Sequence, residues 1–417
     1  MPRLAFTRAN VFDSTRGEMR PNATVVVEGG QIADLLFDAT RVDDAQVFDL
    51  AGRALLPGLI DAHVHVTATQ AELLKVNVTP ASLIAAESKD IMLGMLMRGF
   101  TTVRDAAGAD HGLVEAVERG LFRGPRLFIA GKAISQTGGH GDIRPRGAQQ
   151  LMCACAGIGL MGTIADGVGE VRKATREQLR GGAHQIKIMA GGGVASPTDP
   201  IDGTQFSLEE MRAICEEAEA ANTYAMAHAY SPRAITRAVR AGVRSIEHGN
   251  LLDEDSARAM AEEGAWLVAT LATYEALAQD GELLGWSAAM LAKLDRVKDH
   301  GVRALRVAKA MGVPIGFGTD LLGHMHDRQS NEFALRLPAM SAAEIIQSAT
   351  SVNARLMGQE GRLGVIARGA LADLIVVDGD PTADPSLLAG QGERLLAIVK
   401  GGVFEKNALP GRGTAGR

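Results

Sequence analysis

The sequence predicts an α/β protein built as a (β/α)8 TIM-like barrel, with a small β-sandwich domain formed from both chain ends. Three observations predict this fold. The chain has 417 residues, which is more than one hydrophobic core usually holds. Its middle alternates apolar strand candidates with helical patterns, as parallel β/α architecture does. Both ends contain short strands that are too few to bury a core separately.

The β-sandwich is predicted from residues 1–56 and 363–410 together. Glu28 followed by Gly29 and Gly30 indicates a hairpin turn between two of its strands. Because neither end can bury its own core, we expect the two ends to pair. The predicted strands of this domain are 4–7, 24–32, 46–50, 369–378 and 395–404.

The barrel is predicted for residues 57–362. Ser207 followed by Glu210 fits a capping box at the start of a helix, and Ser231-Pro232 opens another helix over 232–241. In such barrels the active site lies at the carboxyl ends of the strands. The eight predicted strands are 55–65, 101–105, 126–130, 185–189, 224–228, 244–248, 266–270 and 314–320.

Composition limits the partners of the chain. It is 46% hydrophobic and 22% charged with a net charge of −6, which gives no reason to expect a nucleic acid or an anionic membrane as partner. No leader and no apolar run of about 18 residues is present, so we expect a cytoplasmic location. Cys153, Cys155 and Cys215 do not make a secreted disulfide framework; we interpret the first two as reduced loop residues.

Six metal-competent side chains lie on five of the predicted strands, toward the end where barrel chemistry occurs. Each alone has a simpler explanation, since strand-end histidines often only satisfy hydrogen bonds. Together they favour a metal site, because imidazole and carboxylate are ligands for zinc, manganese or iron. The six residues are His63, His65, Lys187, His228, His248 and Asp320.

Lys187 needs a separate argument, because an ammonium group has no lone pair to give a metal. It lies between Ile186 and Ile188 in an apolar strand, so burial would favour its neutral form. A neutral amine can add carbon dioxide to become a carbamate. This anion has two oxygens and could bridge two cations.

The set resembles the amidohydrolase superfamily, in its dinuclear, carboxylated-lysine type, over nearly the whole chain. The Pro-Gly-Leu-Ile-Asp-Ala-His-Val-His stretch at 57–65 is highly specific for that superfamily. The resemblance implies two divalent metals, zinc by default. It implies that one is held by His63, His65 and Asp320 and the other by His228 and His248, with carboxylated Lys187 bridging both. It also implies a hydroxide shared by the metals, with Asp320 passing its proton to the leaving nitrogen.

Two further stretches are similar to the prolidase-like branch, relatives of imidazolonepropionase that cleave dipeptides and N-acyl amino acids. In the glycine-rich loop at 135–142, His140 would hold the α-carboxylate of the substrate. Tyr230, two residues beyond His228, would donate to the oxyanion. Without the resemblance, a simple turn and a helix cap remain open for these stretches.

The expected activity is hydrolysis of the amide of a dipeptide or N-acyl amino acid with a free C-terminal carboxylate, as a prolidase-like Xaa-Pro dipeptidase does. Aryl amides such as ochratoxin are possible additional substrates. The alternatives are a single-metal imidazolonepropionase or deaminase acting on a cyclic amide or amidine, and a barrel that only binds or assembles. The resemblance also implies a homo-oligomer.

The segments 131–183 and 271–312 should form the lid and the pocket walls, where specificity resides in this architecture. For Met161, Tyr274 and Leu277 we weigh ordinary packing above pocket lining. Arg144 and Arg146 could help to bind a carboxylate or be solvated loop side chains. His324 and His326 could offer an extra metal ligand, orient Asp320 or touch substrate.

Overall fold

The computed structural model describes residues 2–38, 42–144, 147, 162–196, 199–281 and 284–409. Its strands fall into one mixed sheet and two parallel sheets. The strands are β1 (Leu4–Asp13), β2 (Glu18–Glu28), β3 (Gln31–Phe37), β4 (Gln46–Asp49), β5 (Ala54–Pro57), β6 (Leu59–Val64), β7 (Phe100–Asp105), β8 (Arg126–Ile129), β9 (Ala133–Ser135), β10 (Gly162–Ile164), β11 (Ile186–Met189), β12 (Ala225–Ala229), β13 (Ser245–His248), β14 (Trp266–Ala269), β15 (Ile315–Phe317), β16 (Leu374–Val377), β17 (Leu395–Lys400) and β18 (Val403–Asn407).

The two chain ends pair in one sheet, as the sequence predicts. Its order is β18-β17-β16-β5-β1-β2-β3, with β4 paired to β1. The link between the ends is the antiparallel pair of β5 and β16, in which Leu56 lies opposite Ile375. The predicted hairpin joins β2 to β3, and Gly29 and Gly30 adopt φ of 59° and 82°. Both angles lie in the left-handed region that glycine accepts without steric cost.

The middle of the chain forms parallel sheets from all eight predicted strands. One sheet has the order β10-β9-β11-β12-β13-β14-β15 and the other the order β6-β7-β8. The candidate at 55–65 divides into β5, which joins the mixed sheet, and β6, which joins the parallel one. Strands β9 and β10 are not predicted, because three-residue strands carry too little periodicity to recognise.

The two parallel sheets meet at the carboxyl ends of β6 and β15. The carbonyl oxygen of His63 accepts hydrogen bonds from Thr319 N at 3.2 Å and Asp320 N at 2.8 Å. On the other side, His184 N donates to the carbonyl oxygen of Ile129 at 2.7 Å, between the segments of β11 and β8. Residues on distant parts of the sequence are thereby brought to one end of the sheets.

Helices connect the parallel strands, and both predicted helix starts are confirmed. Ser207 and Glu210 form a capping box, and Ser231 caps a helix with Pro232 at its first position. The helices are α1 (Leu73–Val78), α2 (Ala81–Met97), α3 (His111–Glu118), α4 (Val168–Arg180), α5 (Leu208–Ala220), α6 (Pro232–Arg240), α7 (Glu254–Glu262), α8 (Leu271–Asp280), α9 (Ala288–Lys298), α10 (Gly301–Ala310), α11 (Asn331–Arg336), α12 (Ala342–Gln347), α13 (Asn353–Leu356) and α14 (Ser386–Ala389), with a 3-10 turn at Gly323–Arg328 and a π turn at Ser348–Val352.

In the part of the chain that the structure describes, no helix combines the length and apolar character needed to cross a bilayer.

Gly318 permits the close approach of the chain after β15 to β6. A Cβ atom at this position would lie 2.7 Å from Val268 Cγ1 and 2.8 Å from His63 Cβ.

We predict that Gly318→Ala lowers the free energy of unfolding by about 1–3 kcal/mol, the usual cost of overpacking. Denaturant unfolding measures the change. Gly169→Ala is the matched control, because nothing lies within 4 Å of a Cβ there and alanine favours the helix; equal losses in both variants would contradict the prediction.

Candidate metal centre

Three of the predicted ligands converge at the carboxyl ends of β6 and β15. Asp320 Oδ1 lies 3.4 Å from His63 Nε2 and 3.1 Å from His65 Nε2. One ligand atom from each of the three residues can be chosen so that all lie within 4.8 Å of one another. This spacing suits a divalent cation bound between them.

The two histidines of β6 are oriented by hydrogen bonds at their outer nitrogens. His63 Nδ1 lies 2.7 Å from Glu247 Oε2, and His65 Nδ1 lies 2.9 Å from the carbonyl oxygen of Ala107. Both Nε2 atoms therefore face Asp320. His63 Nε2 is buried without a hydrogen-bond partner among the described residues, as expected of an atom whose partner is a metal ion.

His228 and His248 lie beside this group on β12 and β13. The ring of His248 is centred 4.8 Å from that of His63 and 4.7 Å from that of His228. His248 Nδ1 lies 2.8 Å from Thr270 Oγ1, whereas His228 Nε2 lies 3.2 Å from the carbonyl oxygen of Gly192. This leaves Nε2 of His248 and Nδ1 of His228 for ligation. Burial lowers the pKa of both histidines well below the usual value, so both are neutral, as metal ligands must be.

Lys187 lines the same cavity from β11 and is buried, at 2% exposure. Burial lowers its pKa to about 8, while the nearby carboxylates of Glu247 and Asp320 act in the opposite direction. The neutral amine is therefore far more accessible than for a solvated lysine. This is the buried environment that the sequence analysis expects for a lysine that becomes a carbamate.

Two of the predicted ligands have unusual backbone conformations. His248 has φ of 72° and Asp320 has φ of 56°. Residues other than glycine rarely adopt this left-handed region, at a cost of about 1–3 kcal/mol each. Strain of this kind clusters at functional sites, where the surrounding structure enforces it.

Glu247 connects the metal centre to a buried arginine. Arg104 and Glu247 both have fully buried side chains, 3.0 Å apart. Arg104 also donates to the carbonyl oxygen of Ala62 at 2.6 Å, and Ser245 hydrogen-bonds the carboxylate of Glu247. Although burial raises the pKa of Glu247, Arg104 and His63 hold it at about 2. The carboxylate therefore stays charged and fixes the His63 ring.

A cavity of about 190 Å³ opens beside the six predicted ligands, and His140 and Tyr230 also line it. The His140 ring stacks on that of His228, with centroids 4.4 Å apart. Its Nδ1 lies 3.3 Å from Asp199 Oδ2. Although burial raises the pKa of Asp199, His140 holds it at about 2. The ring packs directly against the backbone of Gly193, where any larger residue would clash, because a Cβ atom there would lie 1.9 Å from His140 Cε1.

Two residues that we expected to serve ordinary packing also line the cavity wall. Tyr274 and Leu277 line the cavity, and the Tyr274 hydroxyl donates to that of Tyr230 at 2.9 Å; our preference for ordinary packing is therefore incomplete. Arg144 also lines the cavity, but its guanidinium group is already paired with Asp142 at 2.5 Å.

The remaining candidates stand apart from the six ligands. His324 Nε2 pairs with Asp280 at 2.8 Å and is 63% exposed. His326 Nε2 lies 3.2 Å from the carbonyl oxygen of Ala68. Cys215 is partly buried and free. The other candidates lie outside the described residues; they are Arg146, Cys153, Cys155 and Met161.

Sequence reasoning missed four supporting residues: Glu247, Gly193, Asp199 and Thr270. Only the first two had a signal. Glu247 directly precedes His248, and a carboxylate inside an apolar strand indicates a buried partner. The glycines at 191–193 indicated a close approach of backbone to another group, although not which group. Asp199 and Thr270 stand in ordinary turn contexts.

The fold and this cluster define a hydrolase of the amidohydrolase type. The chain belongs to the amidohydrolase family, whose model matches residues 54–404, and it is a hydrolase that acts on amide bonds. The prediction of the superfamily and of its prolidase-like branch is confirmed.

Three proteins of known activity are similar to this chain over most of its length. Ochratoxinase from Aspergillus niger is 34% identical over 375 residues, which cover 87% of this chain and 77% of the relative. A prolidase complexed with N-methylphosphonate-L-proline is 48% identical, with a TM-score of 0.95 over 97% of this chain and 100% of that one. A Xaa-Pro dipeptidase with methionine bound in its active site is 29% identical, with a TM-score of 0.87 and the same coverage.

Glu247→Gln tests the orientation of His63. The neutral side chain leaves Arg104 without its buried counter-charge and weakens the bond to His63 Nδ1, so we predict about 10- to 100-fold weaker metal binding. Metal titration of the purified variant measures this change. Glu332→Gln is the control, because Glu332 forms a second fully buried pair, with Arg336 at 2.7 Å. It should reduce stability but not metal affinity; the same affinity loss in both variants would assign the effect to general destabilisation.

Proposed function

We propose that this protein is a metal-dependent amidohydrolase that cleaves dipeptides or N-acyl amino acids with a free C-terminal carboxylate, proline or an apolar residue being the preferred carboxyl-side residue. One observation carries the proposal: a single cavity joins six metal-competent side chains to His140 and Tyr230. The similarity to a prolidase and to a Xaa-Pro dipeptidase supports it. The similarity to ochratoxinase supports aryl amides such as ochratoxin as further substrates.

The residues present fit two divalent ions, with zinc as the default because imidazole and carboxylate are its usual ligands. His63, His65 and Asp320 would hold one ion, His228 and His248 the other, and Lys187 as its N6-carboxylate would lie between them. When bound, the ions would polarise the amide carbonyl and lower the pKa of the attacking water.

The side chains of the chain itself supply position and proton transfer. Asp320 would accept a proton from the attacking water and pass it to the leaving nitrogen. Although burial raises its pKa, His63 and His65 hold that pKa well below the usual range, so the carboxylate is ionised and able to accept the proton. Tyr230 would donate its hydroxyl hydrogen to the oxygen that becomes negative. His140, held by Gly193 and Asp199 at the cavity wall, would hold the substrate carboxylate.

We propose that the two parallel sheets close into one (β/α)8 barrel over residues 57–362, and that the mixed sheet folds as a β-sandwich from 1–56 and 363–410. The hydrogen bonds of His63 O to the chain after β15 support closure on one side. A homo-oligomer and a cytoplasmic location remain predictions.

A dipeptide screen tests the function. Metal-replete enzyme should hydrolyse Xaa-Pro dipeptides and N-acyl prolines, and amidation of the substrate carboxylate should greatly reduce kcat/KM. Metal content measured with and without bicarbonate tests the alternative. One metal per chain and indifference to bicarbonate would favour the single-metal lactam or amidine hydrolase instead.

Lys187→Ala should lower metal occupancy and turnover together, because the carbamate would be lost. Metal content by mass spectrometry and kcat on the best dipeptide measure both effects. Lys173→Ala, which truncates an exposed lysine on α4, is the control. Unchanged turnover in Lys187→Ala would exclude the bridging carbamate.

His140→Ala should mainly raise KM for substrates with a free carboxylate, because the carboxylate loses its partner, whereas Tyr230→Phe should mainly lower kcat. Steady-state kinetics on a dipeptide and its amide separate the two effects. If His140→Ala affects the amide and the free acid equally, His140 does not bind the carboxylate.

A further inference from the structure

The hydroxyl of Tyr230 has a defined neighbour behind the cavity wall. Tyr274, on α8, donates to it at 2.9 Å. The two tyrosines are 3% and 2% exposed, so both side chains are buried in the cavity wall. A phenol oxygen that accepts a hydrogen bond retains its own hydrogen for another acceptor. Since Tyr230 lines the cavity, that hydrogen is available there.

Thr270 connects this tyrosine pair to His248. Its hydroxyl oxygen lies 2.8 Å from His248 Nδ1. The same hydroxyl also acts on the Tyr274 hydroxyl: burial raises the pKa of Tyr274, and Thr270 opposes this shift as a hydrogen-bond donor. Thr270 also occupies the N-cap position of α8, yet its side chain makes no capping bond. Glu332 accepts from Ala272 N at 2.6 Å in that helix turn instead. The hydroxyl of a residue suited to capping is therefore used for the site.

Metal ligation would fix the direction of every bond along this path. A neutral imidazole that binds a metal through Nε2 carries its hydrogen on Nδ1, so His248 donates to Thr270. The single hydroxyl hydrogen of Thr270 is then left for Tyr274. Tyr274, having accepted that hydrogen, then donates its own to the Tyr230 oxygen 2.9 Å away.

We propose that Thr270 and Tyr274 are positioning residues that direct the hydroxyl hydrogen of Tyr230 into the cavity when His248 binds metal. This proposal deepens the proposed function and rests on its assignment of His248 as ligand and Tyr230 as donor. The group stabilised would be the tetrahedral oxyanion formed during amide hydrolysis. Neither positioning residue needs to touch the substrate.

A double-mutant cycle tests the relay in the full-length, metal-loaded protein. Wild type, Tyr274→Phe, Tyr230→Phe and the double variant are compared by metal content, by kcat and KM for a Xaa-Pro dipeptide, and by Kd for N-methylphosphonate-L-proline. Tyr274→Phe should lower kcat and weaken phosphonate binding by about tenfold, as expected for loss of one buried hydrogen bond. KM and metal content should stay within about twofold, since ligands and ground-state contacts are retained.

Coupling within the cycle separates a relay from simple packing. Once Tyr230 lacks its hydroxyl, the further change Tyr274→Phe should alter kcat by less than about twofold. Thr270→Val should reproduce the effect of Tyr274→Phe, and Thr270→Ser, which keeps the hydroxyl, should restore activity. Thr175→Val is the control, because it removes a buried hydroxyl that bonds the carbonyl oxygen of Val171 within its own helix α4.

Additive losses in the cycle, or a raised KM at unchanged kcat in Tyr274→Phe, would overturn the relay. Failure of the wild type to hydrolyse dipeptides or bind the phosphonate would instead refute the proposed function. The relay then has an independent test in nitrogen-15 histidine spectra of the zinc-loaded protein. These spectra should show an Nδ1 hydrogen on His248 whose shift changes in Thr270→Val and in Tyr274→Phe; no change in either variant would overturn the relay.

Discussion

The metal centre depends on the buried carboxylate of Glu247. It lies between the guanidinium group of Arg104 and Nδ1 of His63, in surroundings closed to solvent. Removing one partner from such a pair leaves an uncompensated buried charge, which costs far more than an exposed pair contributes. The net charge of the pair is close to neutral, so the sheet interior can hold it. The same carboxylate fixes the tautomer and orientation of the His63 ring.

The other three histidines of the metal centre are also oriented by a hydrogen bond at one ring nitrogen. Each of the four histidines uses one nitrogen for a protein acceptor, and the acceptors are Glu247, the carbonyl oxygens of Ala107 and Gly192, and the hydroxyl of Thr270. The remaining nitrogens are left for ligation. Supporting contacts of this kind are a general requirement of metal sites, and here they come from four different segments of the chain.

The substrate side of the cavity is organised by close approach together with charge. Gly193 lets the His140 ring lie directly on the backbone, and the Asp199 carboxylate lies 3.3 Å from His140 Nδ1. Thr270 serves His248 instead of capping α8, and Glu332 satisfies the helix instead. These are local departures from the most stable choice, and departures of this kind are expected where a protein positions reactive groups. Together with the family similarity, they favour amide hydrolysis over a purely structural role.

The sequence by itself predicted eight of the parallel strands and the residues that end them, but not β9 and β10, because apolar periodicity and strand-end histidines are local patterns that three-residue strands do not show. It also indicated the environment of Lys187, since Ile186 and Ile188 flank it. Only the tertiary structure decided that Arg104 meets Glu247, that Gly193 supports His140, and that Tyr274 meets Tyr230. Each of these contacts joins residues more than forty positions apart in the chain, and no local preference encodes them. They exist because the folded sheets bring those segments into contact.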